Sequence, residues 1–216
     1  MYFFTASSGH TLYMGKDKYE NEDLIRYGLP EDVWFHVDNL SSAHVYLRMN
    51  KGEKLKEVLP EVIMECCQLV KANSIEGCKK KDVEVVYTRW MNLRKSNSME
   101  AGQVGFKDES KVHKVRVEKN NAIVNALNRS KTEASPDLQA LQEERAAEIR
   151  REQKAVRKQQ EQAEKIARRQ AEEDKRMRSY DSLFDEGKMA GSTNVSNPYG
   201  ASEDQSSAVA FEDDFM

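Results

Sequence analysis

The sequence predicts an α+β protein: a small mixed sheet domain with two or three helices, then a long charged helix and a disordered acidic tail. Three observations lead to this prediction. Short apolar runs alternate with turn signals through roughly the first 118 residues. Glycine is then absent from residues 136–180, where Glu, Gln, Lys, Arg and Ala dominate. Residues 181–216 carry 1 basic against 8 acidic residues. The predicted domains are therefore 1–135, 136–180 and 181–216.

The first predicted elements form a β-hairpin, in which strands at 2–6 and 11–14 flank the turn residues 7–10. A short helix is predicted at 21–27, because Gly28 and then Pro30 follow it in the order typical of a helix end. Further strands are predicted at 33–38, 43–47, 83–88, 102–106 and 112–118.

A second helix is predicted at 60–73, where apolar residues recur at helical spacing and Pro60 suits the first turn. Cys66 and Cys67 lie on its apolar stripe and are predicted to be core residues. With Cys78 they make three cysteines, which form neither a disulfide framework nor a zinc motif. This favours a reduced, cytoplasmic or nuclear protein. A membrane-associated pool would need a partner or an anchor that the sequence does not show.

The long helix is predicted to begin at Ser135 as the capping residue, with Pro136 in the first helical position. Pairs of opposite charge at helical spacing, such as Glu148–Arg151 and Glu161–Lys165, would support it.

The heptad pattern of this helix does not decide whether it pairs with a second helix. Ile149, Val156, Ala163 and Met177 follow a seven-residue repeat that Gln170 breaks, and the complementary positions are mostly polar. A solvated single helix or a weak homodimer is favoured over a stable coiled coil. Protein partners are expected to bind this helix.

Positive charge is concentrated late in the predicted domain, since residues 79–131 hold 13 bases and 6 acids. Lys114 and Arg116 share one side of a predicted strand, so that their charges would add. Tyr87 and Trp90 lie among the bases and offer flat rings for stacking. The pattern predicts a basic face that binds nucleic acid. The alternative is a solvated basic surface without a ligand.

Two smaller patterns suggest chemistry of their own. Gly15 and Lys16 separate a predicted strand from a helix, an arrangement that can hold an anion on backbone amides. His36 and Asp38 project to the same side of a strand, and His44 follows after a turn. These three would suffice for a metal or for general base catalysis, although a buried structural role is the commoner one for such histidines.

Several ordered segments of the chain resemble the NFACT-R domain, an RNA-binding domain of the NFACT proteins. The resemblance is carried by residues 15–24, 32–38, 41–47, 71–74, 85–88 and 102–106. It implies a small α+β domain that binds RNA, with Lys16, Asn21, His36 and His44 contacting nucleic acid or shaping the site. Larger relatives act in ribosome-associated quality control through further domains, for which 216 residues leave no room. The resemblance implies no catalytic residue, metal or cofactor.

The preferred hypothesis is a nucleic-acid-binding protein that is not an enzyme and takes RNA more readily than DNA. The residues predicted to contact nucleic acid are Lys16, Lys18, Asn21, His36, His44, Lys79, Lys80, Lys81, Tyr87, Arg89, Trp90, Arg94, Lys95, Lys114 and Arg116. Three alternatives remain open: a DNA-binding protein with a membrane-associated pool, an enzyme of RNA metabolism that uses His36, Asp38 and His44, and a helical scaffold.

Overall fold

A computed structural model of the chain describes residues 1–96 and 98–178, so the predicted tail at 181–216 lies outside the described residues. The chain separates into two compact units, Met1–Lys154 and a second that begins at Ala155. The first unit contains the strands and three complete helices, which confirms the α+β class. Across residues 1–96 and 98–178, no helix combines the length and the hydrophobicity that a membrane span requires.

The strands pair antiparallel throughout. They are β1 Tyr2–Thr5, β2 Thr11–Met14, β3 Asp32–Val37, β4 Val45–Arg48, β5 Asp82–Arg89, β6 Leu93–Arg94, β7 Gly105–Phe106, β8 His113–Glu118 and β9 Thr132–Glu133. Seven of them form one sheet in the order β8-β5-β3-β4-β2-β1-β9, and β6 pairs with β7 alone. The strand β8 therefore lies at one edge of the main sheet.

The helices are α1 Lys18–Arg26, α2 Pro60–Ala72, α3 Asn121–Arg129 and α4 Leu138–Arg178. Pro60 opens α2 as predicted, because the first helical turn needs no proline N–H. For α4 the prediction of Ser135 as the cap is wrong. The Asp137 carboxylate accepts from the Ala140 N–H at 3.0 Å and its carbonyl from the Leu141 N–H at 3.1 Å, so Asp137 caps the helix.

The two faces of the main sheet carry separate cores, because side chains alternate along each strand. On the first, the helix face, α2 and α3 cover a core that includes Phe35 and both Cys66 and Cys67, as predicted for the cysteines. Burial raises the pKa of the Cys67 thiol to about 12, so this cysteine is an inert core residue. On the second, the aromatic face, Trp34 and Tyr46 pack among rings beneath α1 and the β6–β7 pair.

The start of α4 belongs to the first unit. Leu138 packs against the aromatic core, and the Gln142 side chain donates to the Gly28 carbonyl at 3.0 Å. The Arg145 guanidinium binds the Glu31 carboxylate, with the Nε–Oε1 pair at 2.8 Å, and both side chains are largely buried. An ion pair held this far from water anchors the first turns of α4 within the first unit.

Along α4 the predicted ion pairs are replaced by others. Glu148 binds Lys51 at 2.6 Å and Arg145 at 2.8 Å rather than Arg151. Glu161 binds Arg157 at 3.3 Å, one turn before it instead of one turn after. The spacing rule admits partners on both sides of a residue, so the sequence alone does not select between them.

Several elements differ from the sequence prediction, which did not include the two-residue strands β6 and β9. The strand expected at 102–106 shortens to β7, which lies outside the main sheet. The helix α3 was not predicted, because Asn120, Asn121, Asn125 and Asn128 give its segment the composition of a loop. It forms because Asn120 caps it and Leu127 is buried beneath it.

Candidate nucleic-acid interface

Five of the predicted contact residues line one cleft of about 590 Å³, here named the histidine cleft. The loop between β2 and α1 supplies one wall, the end of β3 and the approach to β4 supply the floor, and Asn73 and Gly102 close the far side. The five predicted residues are Lys16, Lys18, Asn21, His36 and His44. The resemblance therefore selects residues that are distant in sequence and adjacent in the fold.

The two histidines lie side by side at the floor of this cleft, with ring centroids 4.8 Å apart. The Trp34 indole N–H donates to His44 Nδ1 at 2.8 Å, and His36 Nδ1 donates to the Val37 carbonyl at 2.7 Å. Burial, together with the neighbouring His36, lowers the pKa of His44 to about 3. Burial also lowers the pKa of His36. Both rings are therefore neutral near pH 7 and add no charge to the cleft.

Asn21 brings an unsatisfied acceptor to the same cleft. Its Oδ1 atom is buried and has no hydrogen-bond partner among residues 1–96 and 98–178. A Cβ atom on Gly15 would lie 2.5 Å from this oxygen, so glycine leaves the space that Asn21 occupies. Leaving a buried acceptor unpaired costs about 1–3 kcal/mol, which a donor on a bound ligand would offset.

The predicted anion site on the backbone amides before α1 is wrong, because acidic side chains of the same segment already occupy those amides. Asp17 Oδ1 accepts from Tyr19 N at 2.8 Å and from Glu20 N at 2.9 Å. The Glu20 carboxylate accepts from Lys16 N at 2.9 Å. The helix start is thus satisfied internally. Any anion in the cleft would be bound by side chains instead.

The two lysines of the cleft differ in their partners. Lys16 binds the Glu133 carboxylate of β9, and this pairing raises the pKa of the ammonium. The Lys18 ammonium lies 5.2 Å from the centre of the Tyr19 ring and has no carboxylate partner in the part of the chain that the structure describes. Lys18 is therefore the cleft cation available to a phosphate.

Lys114 and Arg116 share one side of β8 as predicted, but carboxylates of β5 and of the residue that follows β3 neutralise them. Lys114 Nζ lies 2.6 Å from the Asp38 carboxylate and 3.8 Å from that of Glu84. Arg116 binds the carboxylate of Asp82, and that bond lowers the pKa of the acid. The expectation that these charges add to a basic face is wrong, because opposite charges pair across the sheet.

The remaining predicted cations are dispersed. Lys95 Nζ binds the Glu22 carboxylate at 2.7 Å and two backbone carbonyls, and so holds the 100–103 loop beside the histidine cleft. Arg89 reaches the Pro30 carbonyl at 3.5 Å, and Arg94 is exposed on β6. A separate pocket is lined by the predicted residues Lys79, Lys80 and Lys81 together with Cys78, Glu118 and Lys119. The predicted continuous basic face is not formed.

Tyr87 and Trp90 do not form a common stacking surface, because they pack in different cores. Trp90 joins the aromatic core, and its indole N–H donates to the Ile25 carbonyl at 2.8 Å. Tyr87 stacks between Phe35 and His113 and packs against the core of the helix face. Trp90 is thus a structural residue, whereas Tyr87 is half-buried with a ring against each of its faces.

The predicted trio for catalysis or metal binding is only partly brought together. His36 and His44 are adjacent, but the Asp38 carboxylate is bound to Lys114. Among residues 1–96 and 98–178, no three His, Cys, Asp or Glu side chains are grouped as metal ligands. Residues that the sequence reasoning did not single out, Ser42, Asn73 and Gly102, complete the cleft. All three lie in segments that carry the resemblance, which was the available signal.

Comparison with known proteins identifies the family to which this chain belongs. The model of the NFACT protein RNA binding domain matches residues 1–108, so the first unit contains a nucleic-acid-binding domain. Coiled-coil domain-containing protein 25 of Bos taurus is 53% identical over 188 residues, which cover 85% of this chain and 88% of the relative. Protein JLP2 of Saccharomyces cerevisiae is 38% identical over 149 residues, 65% of this chain and 72% of the relative.

The chain belongs to the NFACT RNA-binding domain family, in the group of coiled-coil domain-containing protein 25. Among solved structures, the C-terminal part of the fibronectin/fibrinogen-binding protein from Streptococcus suis has a TM-score of 0.49 at 19% identity. That likeness covers 58% of this chain and 48% of the solved one, and it says nothing about function.

Proposed function

We propose that the chain binds single-stranded RNA, with one nucleotide in the histidine cleft and its phosphate near Lys18. The residues of α4 beyond the first unit, together with the acidic C-terminal segment, serve as contacts for other proteins. The observation that carries the RNA assignment is the unpartnered Oδ1 atom of Asn21. As an acceptor it would pair with a hydrogen-bond donor of the ligand, and the 2′-hydroxyl that distinguishes RNA from DNA is such a donor.

The surroundings of Asn21 support the same ligand. The neutral rings of His36 and His44 meet edge to face and neither repel nor attract a phosphate. Lys18 supplies positive charge at the rim. The cleft volume of about 590 Å³ is in the range of small-ligand pockets, which accommodates a single nucleotide. Binding by one cation predicts a shallow salt dependence, near the roughly 0.7 units per phosphate expected for single strands.

The experiment is a fluorescence-anisotropy titration of the full chain with single-stranded RNA, the same sequence as DNA, and duplex RNA, at several salt concentrations. The Asn21→Leu variant removes the acceptor at similar volume and should weaken RNA binding about tenfold. It should change DNA binding by less than twofold. The matched control is Asn125→Leu, at an exposed asparagine of α3.

Failure to bind any of the three nucleic acids at low salt would contradict the proposed function. Equal binding of RNA and DNA that is insensitive to Asn21→Leu would remove the 2′-hydroxyl from the proposal and make the chain a general single-strand binder.

A further inference from the structure

A second cavity, here named the edge groove, lies on the helix face where β5 and β8 form the sheet edge. Its volume is about 600 Å³. Tyr87 and His113 form part of its wall, and Leu55 and Met91 add apolar surface. None of the residues that line it belongs to the histidine cleft. It is therefore a separate binding surface on the same unit.

Three rings form a ladder that ends in this groove. Phe35, Tyr87 and His113 lie directly opposite one another on the neighbouring strands β3, β5 and β8. The centroids of Phe35 and Tyr87 are 5.2 Å apart, those of Tyr87 and His113 are 5.1 Å apart, and both pairs are stacked. Phe35 is fully buried, Tyr87 half-buried and His113 exposed. The ladder therefore presents ring surface to solvent at the edge of the sheet.

The rim of the groove is basic. Lys56, Arg89, Lys107 and Lys111 line it, with Asp108 as the one carboxylate among its lining residues. Asp108 binds Lys111 at 2.8 Å, and Lys107 donates to the Met91 carbonyl at 2.7 Å. Four cations against one acid leave an excess of positive charge around an apolar floor. An occupant with a flat apolar part and attached negative charge would match this arrangement.

Buried hydrogen bonds fix the loop that carries two of these cations. Thr88 Oγ1 donates to the Lys111 carbonyl at 2.9 Å, and the Asn92 amide donates to Thr88 Oγ1 at 3.0 Å and to the Asp108 carbonyl at 2.9 Å. The Asp108 N–H donates back to Asn92 Oδ1 at 3.0 Å. Because these groups are held before any ligand arrives, the ordering cost of binding is reduced.

We propose that the edge groove binds an unpaired nucleobase of a single-stranded nucleic acid, stacked on the outer face of His113, with the flanking phosphates on Lys56, Arg89 and Lys107. This inference rests on the proposed function, since it takes the ligand to be a nucleic-acid strand. It adds a second contact point for that strand. Stacking involves the base and not the sugar, so the groove binds RNA and DNA alike.

The test uses the full chain and a single-stranded oligonucleotide in which one base is 2-aminopurine, whose fluorescence falls on stacking. His113→Ala should weaken binding at least fivefold and abolish the quenching. His113→Phe keeps a ring and should bind within twofold of the unchanged chain. Arg129→Ala is the control for a lost surface charge, because Arg129 is exposed on α3 and lines neither cavity.

An oligonucleotide of the same length with abasic sugars measures the contribution of the phosphates to affinity without that of the bases. The unchanged chain and His113→Ala should bind it equally, whereas a double Lys56→Ala, Lys107→Ala variant should weaken its binding. RNA and DNA versions of the 2-aminopurine strand should respond to His113→Ala alike.

The outcomes distinguish the two proposals. If Asn21→Leu weakens RNA binding while His113→Ala does not, the proposal for the histidine cleft is supported and the edge groove proposal is wrong. If no nucleic acid binds at all, both are wrong. If His113→Ala instead abolishes binding of a peptide with the sequence of residues 205–216, the groove is a peptide site and the nucleobase assignment fails.

Discussion

The histidine cleft and the cations of β8 differ in how their polar groups are satisfied. In the cleft, Asn21 keeps a buried oxygen without a partner and Lys18 has no carboxylate within the described ranges. On β8, Lys114 is bound to the Asp38 carboxylate and Arg116 to that of Asp82. Unsatisfied polar groups around an open cleft mark a ligand site more strongly than charge does, because neutralised charges offer little to a phosphate.

The largest expected effect comes from the floor of the cleft. His44→Phe keeps the ring volume but leaves the Trp34 indole N–H without its acceptor in a buried site. We expect a loss of about 1–3 kcal/mol in the free energy of unfolding. Lys114→Ala should cost less than about 1 kcal/mol, because its ion pair is exposed to solvent. Urea denaturation of both variants measures the contrast, and equal losses would show that the two regions are energetically alike.

The second effect is on the pH dependence of stability. His44 stays neutral in the folded protein down to a pKa of about 3, whereas in the unfolded chain it takes up a proton below pH 6.5. The unfolded state therefore binds more protons as the pH falls, and stability decreases with falling pH between 6.5 and about 3. The expected slope from this histidine is at most about 1.4 kcal/mol per pH unit.

Urea midpoints at pH 7.5, 6.5 and 5.5 would measure that slope. The His44→Phe variant should lose this contribution, and the Lys114→Ala variant should keep it. An unchanged slope in His44→Phe would mean that His44 is not the group responsible.

The smallest effect concerns nucleic-acid affinity at β8. The Lys114→Ala, Arg116→Ala double variant should bind RNA within twofold of the unchanged chain, because the carboxylates already neutralise both cations. Removing the acids with Asp38→Asn and Asp82→Asn should free the same cations. We then expect a twofold to fivefold gain in affinity and a steeper salt dependence in anisotropy titrations. A large loss of RNA affinity in the Lys114→Ala, Arg116→Ala variant would show that these cations form part of the binding surface.

Local patterns in the chain account for much of the fold. The alternation of His113, Val115 and Val117 with charged residues predicts a half-buried strand, and β8 confirms it. The apolar spacing around Cys66 predicts α2 within one residue at its end. The helix α3 was missed because its asparagines favour loops and its burial against α2 is a tertiary contact.

The candidate site, like the fold, was predictable from the sequence only in part. The resemblance selects Lys16, Asn21, His36 and His44, which the fold assembles in one cleft. Charge counting could not foresee the pairing of Lys114 with Asp38, which is 76 residues away in the chain. It also could not foresee that Trp90 points into the aromatic core.

By itself the sequence determined the α+β class, most of the strands and helices, the family and the number of charges in each segment. These follow from short-range periodicity and from motifs that need no knowledge of distant contacts. Only the tertiary structure decided which cations are neutralised, which rings remain open and which polar atoms lack a partner. Those properties depend on groups that meet across the sheet, and a pattern along the sequence does not specify which side chains are in contact.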